Sequence, residues 1–141
     1  MSKTCAALMA LSLLMIGGAS LAPAQTLTPA QTNGFGVAPP DPRNGEKIFD
    51  QCKQCHTTQR GETKIGPSLA GLIGRRPGTI QGFGYSQDIV DFGAAGNFWN
   101  AETLDVFLTK PRALMQRTKM AFPGLKKDSD RADLIAYLSQ F

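Results

Sequence analysis

The chain has 141 residues with 15 Lys or Arg and 11 Asp or Glu, a net charge of +4, and a single histidine. Its length suits one domain, and its mild basicity without a run of five like charges excludes a nucleic-acid-binding arm. The lone imidazole, His56, excludes any site that needs two.

Residues 1–24 read as a cleavable export signal. Lys3 supplies the charged start, Ala6 to Ile16 an apolar core broken only by Ser12, and Ala22-Pro23-Ala24 a small-x-small cleavage site. Gly17, Gly18 and Ser20 follow the core closely, leaving it short of the about 20 apolar residues of a spanning helix. Cleavage before Gln25 is therefore expected over retention as an anchor. It removes Lys3, Cys5, Met1, Met9 and Met15, lowers the charge to +3, and leaves Cys52, Cys55, Met115 and Met120. The two remaining cysteines would sit in an oxidising compartment, where a close free pair is oxidised or committed to a ligand.

Residues 25–42 form a Pro-rich lead without apolar periodicity, expected to be flexible, ahead of a domain at 43–141. Asp41 and Pro42 predict a helix start, one as cap and the other at the first helical position. Ile48 and Phe49 are the apolar residues of that short helix, which runs into Cys52. From Gln59 to Asn97 frequent glycines predict loops, with the backbone wrapped closely around something. Asn100 caps a second helix carrying Leu104, Phe107 and Leu108 as far as Pro111. Asp128 or Ser129 starts a third, with Leu134, Ile135, Leu138 and Phe141 on one side. The expected fold is all-α, with three main helices and long Gly-rich loops. So thin a core needs an added nucleus.

Cys52-Lys53-Gln54-Cys55-His56 is a C-x-x-C-H run, the signature of c-type haem attachment. Thiols three residues apart lie about one helical turn from each other, so both can reach one edge of a porphyrin, and the next residue offers an imidazole to the iron. Other readings fit less well. Zinc would need a fourth ligand, and the mature chain has no further Cys or His. A redox dithiol expects a preceding strand in a parallel sheet. A structural disulfide would leave the adjacent histidine a coincidence. A methionine thioether is a common second axial ligand, and two are candidates. Met120, in the non-helical stretch 118–124, is favoured by position over Met115, which follows Pro111 in a packing context. Both could equally be core residues, as most methionines are.

Further segments stand in order around that run: Gly45-Glu46-Lys47-Ile48-Phe49, Gly66-Pro67-Ser68-Leu69, Gly74-Arg75-Arg76, Gly82-Phe83-Gly84-Tyr85, Trp99, TKMAFPGLKK at 118–127 and DLIAYL at 133–138. From Asp41 to Phe141 the chain resembles class I cytochrome c, the small soluble mono-haem type. The resemblance implies the cytochrome c fold wrapped around one haem c, attached by two thioethers at Cys52 and Cys55. It implies His56 and Met120 as axial ligands, with the Pro67 carbonyl holding the other His56 nitrogen. It implies Arg75, Tyr85 and Trp99 at the propionates, and Leu69, Leu104 and Phe122 along the crevice. Gly45 and Phe49 match first-helix positions that pack on the last helix at Tyr137. Two departures stand out. Phe107 occupies a position where the family usually has a tyrosine hydroxyl reaching the methionine sulfur. The stretch Ser86–Phe98 is longer than the mitochondrial pattern, which leaves open what replaces the family's propionate-side asparagine.

These readings predict a periplasmic one-electron carrier between a respiratory or dehydrogenase donor and an oxidase-type acceptor, with no bond chemistry of its own. Lys64, Arg112, Arg117, Lys119, Lys126 and Lys127 are the expected docking face for acidic redox proteins. No nucleic acid is expected, contact with a membrane comes only through partner complexes, and a monomer is expected. The alternative is an anchored or dedicated electron-transfer subunit of a dehydrogenase or oxidase complex. A haem peroxidase or gas-binding protein would need Met120 detached and a distal acid–base group, and there is no second histidine to supply one.

Overall fold

A computed structural model describes residues 38–141. The expected export signal, and the lead as far as residue 37, lie outside the described residues. Five helices follow in chain order: α1 (Pro42–Phe49), α2 (Gln87–Ala94), α3 (Ala101–Thr109), α4 (Pro111–Leu114) and α5 (Asp128–Leu138). Among the described residues there is no strand, and no helix is long and apolar enough to cross a membrane.

The start of α1 is as the sequence predicts. The Asp41 carboxylate accepts the Arg43 amide at 2.9 Å, and Pro42 occupies the first turn. The Asp41 amide and the Asn44 side chain then donate to the two oxygens of Asp133 on α5, at 2.6 and 2.7 Å. Gly45 sits where the two helices cross, and a Cβ there would collide with the Asp133 carbonyl. Beyond the crossing, the Phe49 and Tyr137 rings lie 5.5 Å apart. This pair of helices is the base of the molecule.

On α3, Asn100 and Thr103 form a reciprocal capping box, with the Thr103 amide 2.8 Å from the Asn100 side chain. Pro111 closes α3 and opens the single turn of α4. Leu104, Phe107 and Leu108 of α3, Leu134, Ile135 and Leu138 of α5, and Phe49, Leu72, Trp99, Met115 and Leu125 form one buried cluster.

Two expectations need correction. The glycine-rich stretch before Asn97 is not all loop, because α2 lies within it. Ser86 enters with extended backbone at the cap position, Asp88 lies in the first turn, and Ile89 and Phe92, one turn apart, pack on the core. Gly93 lets this helix approach Pro77, whose carbonyl a Cβ would strike. With the single turn of α4, this adds two helices to the three main ones expected, α1, α3 and α5. Finally, Phe141 does not share the buried side of α5. It lies past the helix end, 40% exposed, its ring packed on Tyr137 at 5.0 Å.

Candidate functional site

The Cys52–His56 run is a tight continuation of α1. The Cys52 amide donates to Phe49 O at 2.7 Å, and the Cys55 and His56 amides both donate to Cys52 O, at 3.0 and 2.8 Å. These bonds place both free thiols and the imidazole on one cavity wall. Burial, then the nearby Cys55 sulfur, pushes the Cys52 thiol up to about 11. His56 Nδ1 lies 2.8 Å from the Pro67 carbonyl. A carbonyl can only accept, so Nδ1 carries the proton and Nε2 keeps the lone pair a metal needs. Burial lowers the His56 pKa, which favours the same neutral form, against a smaller opposing effect of the Pro67 bond. Gly66 lies against the ring: any Cβ there would collide with His56. The following loop is pinned by the Leu69 amide on Thr57 O at 2.8 Å and the Ser68 hydroxyl on Gln59 O at 2.6 Å.

The cavity, of about 320 Å³, is mostly apolar. Leu69 and Leu72, Leu104, Phe107 and Leu108 of α3, Leu134 and Leu138 of α5, Ile89 of α2 and Phe122 supply its hydrocarbon surface. One region of the wall is polar. Arg75 donates to the Ala70 and Ser68 carbonyls at 3.0 and 2.9 Å, and its own carbonyl accepts the Trp99 amide at 2.9 Å. Burial lowers the Arg75 pKa and raises that of the neighbouring Tyr85. Next to Tyr85, the Ser86 hydroxyl is buried with no hydrogen-bond partner in the protein. A guanidinium, a phenol, an indole and an orphaned hydroxyl on an otherwise apolar wall suit a flat apolar ligand with acidic substituents.

The segment after α4 closes the remaining side. Thr118, Met120, Ala121 and Phe122 line the cavity, and the Met120 amide donates to the Thr118 hydroxyl at 3.2 Å. Met115 is 2% exposed, belongs to the core cluster and is not part of the wall. Every residue expected at the site from sequence lies on this wall: Cys52, Cys55, His56, Pro67, Leu69, Arg75, Tyr85, Trp99, Leu104, Met120 and Phe122. Sequence reasoning missed Ser86, Ile89 and Thr118 there. Ile89 could have been found from its one-turn spacing with Phe92; an unpartnered hydroxyl such as Ser86 has no sequence signal.

The expected basic face is only partly free. Of its six residues, Lys119 alone lines the cavity, and its ammonium donates to the Gly84 carbonyl at 2.8 Å. The Arg117 guanidinium is paired with Asp88 at 2.6 Å, and Lys64 donates to Lys53 O at 3.2 Å. Arg112, Lys126 and Lys127 are exposed.

A helical cage whose apolar cavity presents two free thiols, a neutral imidazole and a thioether defines a haem-binding protein of the covalent type. The sequence model of the cytochrome c family matches residues 42–141, and the chain belongs to that family. It is 49% identical to a cytochrome c of Ginkgo biloba over 109 residues, covering 75% of this chain and 94% of the relative. It is 43% identical to cytochrome c-554 of Methylosinus trichosporium over 115 residues, 79% of this chain and 83% of the relative. Among solved structures, cytochrome c2 from Rhodospirillum centenum superposes with a TM-score of 0.67 at 34% identity, over 72% of this chain and 98% of its own. The protein is thus a cytochrome c-type electron carrier and not an enzyme. Its cofactor is haem c, held covalently through cysteine, and Cys52 and Cys55 are the cysteines of its C-x-x-C-H run.

Proposed function

We propose that this chain is a periplasmic mono-haem carrier that passes single electrons from a respiratory or dehydrogenase donor to an oxidase-type acceptor, with His56 and Met120 as the axial ligands. The observation that carries this reading is that His56, with Nδ1 committed to Pro67, and Met120 line the same cavity, whereas Met115 is locked in the core. Bound haem supplies the one-electron couple of its iron.

The protein residues do the rest. Cys52 and Cys55 tether the macrocycle edge, and Pro67 and Gly66 fix the plane of His56. Arg75, Tyr85, Ser86 and Trp99 would hold the macrocycle's acidic substituents, and the leucines of α3 and α5 would keep water away. With His56 and Met120 both committed to the iron, the protein would leave no open position for a substrate. Residues 1–24 serve as the export signal and 25–42 as a lead. Exposed Arg112, Lys126 and Lys127, with Lys64, form the docking face for acidic partners, while Arg117 is spent on an internal pair. A redox titration tests the reading: a reversible one-electron couple with a ferrous form that does not bind carbon monoxide is expected. Ready carbon monoxide binding at neutral pH would contradict it.

A further inference from the structure

The loop that carries Met120 is tied to α2 by a clamp with two independent parts. The Asp88 carboxylate receives the Arg117 main-chain amide on one oxygen at 2.7 Å and the Arg117 Nε on the other at 2.6 Å. Lys119 Nζ donates to Gly84 O at 2.8 Å, just ahead of α2. Both ties join the same two stretches, 84–88 and 117–119, and both stretches border the cavity through Ser86, Thr118 and Lys119.

An exposed ion pair by itself contributes little, and Arg117 Nη2 to Asp91, at 3.9 Å, is of that kind. Asp88 differs. Its side chain is only 15% exposed, it accepts two charge-strengthened bonds, and one of them comes from the backbone of the loop itself. Those bonds, the Arg117 amide foremost, hold the Asp88 carboxyl below the usual carboxylate range.

We propose that Asp88, through Arg117, is a positioning residue for the Met120 ligand: it holds the cavity closed at the rim and so sets how often the thioether leaves the iron. This rests on Met120 being the ligand, as proposed above. The fraction of time the loop is open fixes the apparent affinity of an external ligand that competes with Met120. Removing the clamp therefore tightens external binding without altering the covalent attachment.

The test is imidazole titration of the ferric holoprotein at neutral pH. Asp88→Ala loses both bonds and is expected to bind imidazole about ten-fold more tightly than the parent; Arg117→Ala keeps its amide bond and is expected to gain about three-fold. The double variant should match Asp88→Ala, since the two residues act as one unit. Amide hydrogen exchange at Arg117 should accelerate by a similar factor in Asp88→Ala. Asp133→Ala, which loosens α1 from α5 without touching the rim, should lower the denaturant midpoint while leaving imidazole affinity within about two-fold. Imidazole affinities of Asp88→Ala and Arg117→Ala within about two-fold of the parent would overturn the clamp while leaving Met120 in place. A parent protein whose ferric form lacks the weak far-red methionine–iron band overturns the Met120 assignment itself, and the clamp's role with it.

Discussion

The wall built by residues 51–69 and the wall built by residues 118–122 are secured in different ways. On the first, every tie that sets His56 is local: amides returning to Phe49 and Cys52, and a Pro67 carbonyl only 11 residues on. On the second, besides the local bond of the Met120 amide to Thr118, the segment around Met120 is held by partners far away in sequence. Arg117 reaches back 29 residues to Asp88, and Lys119 reaches back 35 to Gly84. Arg131, on α5, donates to the Leu125 and Lys126 carbonyls at the loop's far end and pairs with Asp105 on α3 at 2.6 Å. A locally closed turn cannot open without breaking the helix that feeds it, whereas a loop held by a few side chains opens when they let go. The proximal side is the fixed half and the Met120 side the adjustable one.

The largest effect should come from the fixed half. Cys52→Ser combined with Cys55→Ser is expected to abolish covalent attachment, so that acidified organic solvent extracts all the haem; retained pigment would contradict the tether. Next, Gly45→Val forces α1 off the Asp133 carbonyl and should destabilise the fold by about 3 kcal/mol in denaturant titration. It should act globally, without a preferential effect at Met120.

A smaller loss is expected in the adjustable half. Arg131→Leu leaves the Leu125 and Lys126 carbonyls without their buried donor and should cost about 2 kcal/mol. Hydrogen exchange should rise first in the 118–127 loop, and uniform exchange across the chain would argue against that division.

The smallest effect is one of pH. The Asp88 carboxyl is lowered in the fold, so its contribution is complete above its unfolded value of about 4 and fades as pH falls through the lower folded value. The stability difference between parent and Asp88→Ala should thus be flat from about pH 7 to about pH 5 and shrink only below about pH 4. A difference that already shrinks near neutrality would point to another group.

The same contrast explains what could be read in advance. The elements around His56 are contiguous, so the cap at Asp41 and the C-x-x-C-H turn were visible as short strings, and the Pro67 support through the family pattern. The apolar lining was visible as helical spacing at Leu104, and Trp99, Arg75 and Tyr85 through the family pattern. α2 was not, because Gly93 and Gly96 read as loop punctuation, whereas Gly93 is a contact point for Pro77. Arg117 looked like a free surface cation because nothing in the sequence says that Asp88 lies beside it. Long-range side-chain pairs carry no periodicity, and such pairs tie residues 117–119 to the 84–88 stretch.

The central claim is that His56 and Met120 together hold the iron, and the far-red absorbance of the ferric protein tests it most directly. The account predicts a weak methionine–iron band in the parent and in Met115→Leu, and its loss in Met120→Ala. A band that survives Met120→Ala and disappears in Met115→Leu would contradict it.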